Sequence, residues 1–201
     1  MQQVIKQEDI NRAISFDEYL AFTRAVIQSD SPVGKYAKES TLRYTRLNLE
    51  QMQKVLEHMT LQQKLYNLVS ELKENWVWLV ISEPWCGDAA WGLPALYIIS
   101  TASDKIDFRI LFRDENPEIM KAYHTEGSNS IPKLICLQAE HLKELGVWGP
   151  RPAELQKMVK EYKDSSVIDY KEKLRQVNEW YQNDMTKSIQ DEITELVKKW
   201  K

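Results

Sequence analysis

Cys86 is the residue of this chain whose type and position could do chemistry. It follows the apolar run 76–81, whose aromatic and β-branched residues are typical of a buried strand, and the pattern after it predicts a helix over 87–100. A cysteine at such a junction lies beside the first unpaired N–H groups and the positive end of the helix dipole, and both favour the thiolate. We therefore predict that Cys86 is an exposed, reactive nucleophile.

The surroundings of Cys86 resemble the thioredoxin family in four landmarks that occur in the family's order. They are the Trp-Cys-Gly-Asp motif at 85–88 with Pro94 eight residues after Cys86, the turn 112–117, the pair Ile131-Pro132 heading an apolar run, and the segment 146–149. The resemblance covers roughly residues 61–163. It implies an α/β, thioredoxin-like fold, with a mixed four-stranded sheet flanked by helices.

The motif departs from the family pattern at the position of the second cysteine. Trp85, Gly87 and Asp88 match a thioredoxin active-site loop, but Ala89 occupies the position of the resolving thiol. The resemblance therefore implies a one-cysteine mechanism, in which Cys86 forms a mixed disulfide and an external thiol resolves it. Such chemistry is similar to that of monothiol glutaredoxins or bacilliredoxins.

The resemblance also implies a substrate-binding groove beside the cysteine. In the family, the peptide bond before the proline is cis and the preceding residue pairs with an extended substrate, which assigns these roles to Ile131 and Pro132. Trp148 and Gly149 match the other positions of the groove, although a purely structural Trp148 is an equal alternative.

Two charged residues could tune the thiol. Asp88 could raise the pKa of Cys86 as a nearby negative charge, or could serve as a favourable charge in the first turn of the helix. Lys133, directly after the predicted cis-proline, could offset Asp88 and favour the thiolate; the alternative is a solvated surface lysine.

Cys136 is predicted to be a core residue and not the resolving thiol. It lies in the apolar run 134–137, four residues after Pro132. Because a strand rises ~3.3 Å per residue, this spacing places it more than about 10 Å from the active-site end of the strand.

The remaining elements frame this site. Ser15 and Glu18 form a capping-box pattern at the start of one helix, and Asn48 is predicted to cap a second. We expect an N-terminal helical extension over 1–60, a thioredoxin-like domain over 61–163, and a C-terminal amphipathic helix over 164–201 after a break at 164–166.

The C-terminal pattern predicts a single helix of some thirty residues, on the order of 45 Å long. Apolar residues recur by threes and fours from Tyr170 to Trp200. This stripe either packs on the N-terminal helices or forms an arm for a homodimer or another partner.

Composition excludes several classes of function. The chain has 201 residues, a hydrophobic fraction of 43 % and a net charge of −3, so it can bury a core but offers no electrostatic case for nucleic acid or an anionic membrane. The three histidines have no ligand spacing, so we expect no metal, and nothing indicates another cofactor. No stretch approaches a membrane span, and two distant cysteines favour a reducing, cytoplasmic setting.

Two hypotheses of function remain. In the first, the protein is a thiol–disulfide oxidoreductase of one-cysteine type, acting on a protein or small-molecule thiol or disulfide. In the second, it is a redox-inactive, protein-binding module on the same fold, in which Cys86 is incidental.

Overall fold

Strands and helices alternate along the middle of the chain, and further helices precede and follow them. The computed structural model describes residues 4–164 and 169–201. The described elements are, in chain order, α1 (Gln7–Arg12), α2 (Phe16–Gln28), α3 (Glu39–His58), α4 (Gln63–Ser70), β1 (Trp76–Ser82), α5 (Gly87–Ser100), β2 (Ile106–Phe112), α6 (Pro117–Ala122), β3 (Lys133–Gln138), β4 (Glu144–Trp148), α7 (Ala153–Asp164), α8 (Tyr170–Asp184) and α9 (Lys187–Trp200).

The four strands form one mixed sheet in the order β2-β1-β3-β4. β1 pairs with β2 in parallel, as a β-α-β crossover through α5 requires, whereas β3 is antiparallel to both β1 and β4. Every residue of the central strand β1 is buried, because helices cover both faces of the sheet. The predicted thioredoxin-like, mixed four-stranded sheet flanked by helices is confirmed.

Alternate residues of β1 supply two separate hydrophobic clusters, one on each face of the sheet. Trp78 and Val80 pack in the larger cluster with Cys136 and residues of α3, α5 and α9. Leu79 belongs to the other cluster, which includes Cys86. The two cysteines therefore lie on opposite faces of the sheet. Cys136 is a core residue, as predicted.

The N-terminal extension is helical, and one of its predicted caps is correct. The Ser15 side chain accepts a hydrogen bond from the backbone N–H of Glu18 (3.3 Å), and the Glu18 carboxylate accepts the N–H of Ser15 (2.8 Å). The prediction for Asn48 is wrong, since α3 begins nine residues earlier and contains it. The Asn48 amide instead donates to the carbonyl of Pro84 (2.9 Å), two residues before Cys86.

The C-terminal segment is helical, but the prediction of a single helix is wrong. Met185 and Thr186 adopt left-handed conformations, with φ of 48° and 67°, and separate α8 from α9. The Asp184 carboxylate accepts the backbone N–H of Ser188 (3.1 Å), which caps the start of α9. Because of this break, apolar residues of both α8 and α9 can pack in the larger hydrophobic cluster. The predicted boundary at 164–166 lies mostly outside the described residues.

The stripe of α9 is buried within the chain. Ile189, Ile193 and Val197 are fully buried in the larger cluster, and Trp200 packs edge-on against Trp78. α9 packs mainly on α4, α5 and β4, and the Gln190 amide also donates to the Thr60 carbonyl (3.3 Å). The stripe of this helix therefore packs within the chain, chiefly on core elements. A homodimer through the C-terminal region stays a prediction. Within the described part of the chain, none of the helices is both long and apolar enough to cross a membrane.

Candidate active site

Cys86 is the N-cap residue of α5, at the junction the sequence predicts, but its side chain is buried. The residue is 9 % exposed, and its thiol donates a hydrogen bond to the carbonyl of Ile131 (Sγ–O 3.2 Å). Its backbone N–H donates to the carbonyl of Glu83 (3.1 Å), which closes the turn between β1 and α5. The expectation of an exposed thiol is wrong, because the Cys86 side chain packs in the apolar cluster that includes Ala89 and Ile131.

Burial raises the pKa of the Cys86 thiol from its ordinary value of 9.0 to about 12, and the Asp88 carboxylate adds to this effect. Hydrogen bonding to the backbone N–H groups of Ala89 and Asp88, and the charge of Arg151, act in the opposite direction. The start of α5 therefore lowers the pKa of Cys86, as predicted, but burial and the Asp88 charge raise it by more. The resting site holds a protonated thiol.

Asp88 is the centre of a polar cluster that sequence reasoning missed. Its carboxylate forms an ion pair with Arg151 and accepts a hydrogen bond from the Tyr181 hydroxyl (2.9 Å). Tyr181 in turn stacks on Trp91 of α5, with ring centroids 5.3 Å apart. We call Asp88, Arg151 and Tyr181 the Asp88 cluster. It ties α8 and the loop before α7 to the start of α5.

Lys133 is not the cation beside the thiol. Its ammonium donates to the Thr125 hydroxyl (2.6 Å) and to the Gly149 carbonyl (2.8 Å), and burial lowers its pKa to about 8. Both sequence alternatives for Lys133 are wrong, because the start of β3 is buried and its own loops satisfy the ammonium. The cation whose charge acts on Cys86 is Arg151.

The predicted groove residues lie near one another, and all except the half-buried Gly149 are buried. The Ile131–Pro132 peptide bond is cis, and Ile131 is 4 % exposed. The Trp148 indole N–H donates to Glu192 of α9 (2.6 Å) and the residue is 5 % exposed. Gly149 has a φ of +104°, and a methyl group there would lie 2.3 Å from the Pro132 carbonyl oxygen, so only glycine fits. The structure favours the structural alternative for Trp148.

The other motif residues differ in exposure: Trp85 and Gly87 reach the surface, whereas Ala89 is buried. Trp85 is half-buried, and the Arg113 guanidinium lies over its ring, 4.6 Å from the centroid. Gly87 is exposed, with open space around its Cα. Ala89, which replaces the second cysteine, is fully buried in the same apolar cluster as Cys86.

A cavity of about 650 Å³ opens on Cys86 between α3, the start of α5 and α8. Trp85, Gly87 and Trp91 line it together with the cysteine, as do Leu47 of α3 and Leu174 of α8. Its volume falls within the ~300–1,000 Å³ typical of small-molecule sites.

A buried ion pair beneath the motif loop was also missed by sequence reasoning. The Glu83 side chain is fully buried, and it accepts hydrogen bonds from Lys35 Nζ (2.6 Å) and from the backbone N–H of Asp114 (3.0 Å). Lys35 also pairs with the Asp114 carboxylate (2.8 Å). This pair fastens the segment before α3 to the end of β1. Across the described ranges, no three His, Cys, Asp or Glu side chains are grouped so that they could hold a metal ion.

Comparison with known proteins gives a family and a fold. A family model described as Thioredoxin matches residues 34–163. A protein of unknown function from Pseudomonas aeruginosa, PA1234, has a TM-score of 0.61 at 14 % identity, over 96 % of this chain and 98 % of that one. An HIV epitope-scaffold gives the same values. At this identity the two structures show the fold alone. The search of curated proteins found no match.

Proposed function

We propose that this chain, which belongs to the thioredoxin family, is a one-cysteine thiol–disulfide oxidoreductase that works through Cys86. The observation that carries the proposal is the position of the thiol. Cys86 is one of the residues that line the cavity between α3 and α8, and hydrogen bonding from the backbone N–H groups of Asp88 and Ala89 favours its thiolate. We expect a disulfide in the cavity to reach the sulfur once the thiol leaves the Ile131 carbonyl, and the N–H groups at the start of α5 then stabilise the thiolate.

The exchange has two steps. The Cys86 thiol gives its proton to solvent, and the thiolate attacks one sulfur of a disulfide R–S–S–R. A new S–S bond joins Cys86 to one R–S group, and the other leaves as R–S⁻ and takes up a proton. A second thiolate, supplied by a low-molecular-weight thiol, then attacks the R–S sulfur of the mixed disulfide and releases the Cys86 thiolate. Ala89 cannot perform this second step, so the external thiol is required.

The raised pKa slows this chemistry less than the thiolate fraction alone suggests. A pKa of about 12 in place of 9.0 lowers the thiolate fraction at neutral pH roughly a thousandfold. A more basic thiolate is also a better nucleophile. With a Brønsted coefficient of about 0.4–0.5, the rate constant of the thiolate increases by a factor of roughly 15–30. The net cost is about 30- to 60-fold relative to an ordinary thiol. Exchange from the protonated resting state is slow but feasible.

The proposal predicts a covalent adduct at Cys86. The Cys136→Ala protein, incubated with 2-hydroxyethyl disulfide, is expected to gain the mass of one mixed disulfide, and added thiol should release it. In the matched Cys136→Ala, Cys86→Ser protein the adduct should be lost completely. Intact mass spectrometry measures both. An adduct that persists without Cys86 would refute the assignment of the nucleophile.

The second candidate is a redox-inactive binding module. One observation favours it: the Cys86 thiol and the Ile131 carbonyl, the two groups that a disulfide substrate would engage, bind each other. In that case Cys86→Ser would leave the function intact, whereas under our first proposal it abolishes exchange. A reducing, cytoplasmic compartment suits the first proposal, because resolution of the mixed disulfide needs a supply of small thiol.

A further inference from the structure

We infer that a second cavity, between α3 and the break at Met185 and Thr186 that separates α8 from α9, binds a small apolar monocarboxylate. This inference goes beyond the function proposed above and does not depend on it, since Cys86 is not among the described residues that line this cavity. Three features of the described residues carry it: an apolar surface, a lysine without an ionic partner, and a buried hydroxyl whose proton has no acceptor.

The apolar surface of the cavity suits the body of a small organic ligand. The cavity has a volume of about 340 Å³. Val55 of α3, Met59 directly after α3, Trp91 of α5 and Met185 line it. Met185 is 56 % exposed although it is large and apolar, so a ligand in the cavity would cover surface that now faces water. An apolar cavity of this size with a few polar groups that fix orientation is the usual form of a small-molecule site.

Lys54 gives this cavity a positive charge. Its ammonium forms no ion pair or hydrogen bond with any residue in 4–164 or 169–201. Among the described residues that line the cavity, none is Asp or Glu. Glu57, which lies 4.0 Å from His58 Nδ1, and Asp184, which caps α9, are both outside the lining. An anionic ligand would therefore meet a cation here without a carboxylate in the same wall.

Thr186 gives the cavity a hydroxyl proton without an acceptor. It is the N-cap residue of α9, but its side chain makes no capping bond, because the Asp184 carboxylate takes that role. The residue is 2 % exposed, and its oxygen accepts a long hydrogen bond from the Gln190 amide (3.5 Å). An amide N–H can only donate, so the Thr186 O–H has no acceptor within the described part of the chain. A buried donor without an acceptor is costly, and a carboxylate oxygen in the cavity would satisfy it.

The polar groups of the wall limit the class of the ligand. One ammonium and one hydroxyl match the two oxygens of a single carboxylate, whereas a polyphosphate would need several cations. The amides of Gln51 and Gln182 also line the cavity and can donate to the same oxygens. The apolar residues then receive the rest of the ligand. The site therefore fits an apolar monocarboxylate.

The test compares the binding of three probes to the full-length protein at neutral pH, measured by isothermal titration calorimetry. Octanoate represents the proposed class, 1-octanol has the same chain without a charge, and octylammonium has the opposite charge. We expect octanoate to bind about tenfold more tightly than 1-octanol, because it gains charge-assisted hydrogen bonds. Octylammonium should bind more weakly than either, because Lys54 repels it.

Four variants identify the groups responsible. Lys54→Met and Thr186→Val should each weaken octanoate binding about tenfold and leave 1-octanol binding within about twofold. Lys38→Met removes the same charge from an exposed lysine outside the lining and should change neither. Met185→Asn should weaken both ligands alike, since asparagine keeps the left-handed conformation but removes apolar surface.

The inference is wrong if octanoate binds no more tightly than 1-octanol, or if Lys54→Met and Lys38→Met bind octanoate alike. It is also wrong if none of the three probes shows saturable binding. Should Thr186→Val not fold, the exposed Lys54 side chain still allows Lys54→Met to decide. Each of these results leaves the proposed function standing, because adduct formation at Cys86 is measured separately.

Discussion

Replacing Asp88 with asparagine is expected to make Cys86 more reactive. The carboxylate is the largest cause after burial of the raised thiol pKa, and its removal leaves the positive charge of Arg151 without its partner. We expect the pKa of Cys86 to fall by about 1–2 units. Because the less basic thiolate is a weaker nucleophile, the alkylation rate at neutral pH should rise by about 3- to 10-fold. The iodoacetamide reaction of the Cys136→Ala protein measures it.

A matched variant distinguishes charge from a loosened structure. Tyr181→Phe removes the hydroxyl that donates to Asp88 but keeps the carboxylate and the stacking on Trp91. If the charge governs the thiol, this variant should react within about twofold of the parent. Equal acceleration by Tyr181→Phe and Asp88→Asn would show that opening of the Asp88 cluster, and not its charge, controls Cys86.

Replacing Lys35 with methionine is expected to destabilise the fold by about 3 kcal/mol at neutral pH, because it leaves the fully buried Glu83 carboxylate without its cation. Burial already raises the pKa of Glu83 above 4.5, despite the opposing effect of Lys35. When folding raises the pKa of a carboxyl group, the folded state binds the proton more tightly than the unfolded state does. The free energy of unfolding therefore falls as the pH rises from the unfolded towards the folded pKa. Without Lys35 that pKa rises further. Urea unfolding should therefore show the largest loss at pH 7 and a smaller one towards pH 4.5.

The double variant Lys35→Met, Glu83→Gln supplies the control. Glutamine keeps an acceptor for the backbone N–H of Asp114 but carries no charge, so most of the lost stability should return at pH 7. A loss that is the same at both pH values, or that the second substitution does not reduce, would show that Lys35 acts through its packing and not through the Glu83 charge.

Much of the secondary structure that positions the site can be predicted from the local sequence. The all-apolar run 76–81 requires a strand covered on both faces, and the structure buries every residue of β1. The junction after it places Cys86 at the start of a helix, as α5 shows. The spacing of Cys136 predicts a core residue because strand geometry is fixed per residue. These inferences succeed because each depends on short-range periodicity.

The electrostatics of the site could not be predicted in the same way. Asp88 meets Arg151 and Tyr181 from 63 and 93 residues away, and no spacing in the sequence indicates these contacts. The sequence indicates a favourable helix dipole for Cys86 but not the burial that outweighs it, because Ile131, which packs against the thiol, lies 45 residues away in the chain. The same long-range packing separates α8 from α9, which periodicity alone joins into one helix.

The most direct test of the account is the rate of mixed-disulfide formation between the Cys136→Ala protein and 2-hydroxyethyl disulfide, measured from pH 6 to pH 10 in both the folded and the urea-unfolded protein. A thiol that reacts from a protonated state with a pKa of about 12 should form the adduct in the folded protein. Its rate should rise close to tenfold per pH unit and reach no plateau below about pH 10. The contrary result is a folded protein that forms no adduct at any pH while the unfolded chain reacts, which would show that Cys86 takes no part in disulfide exchange.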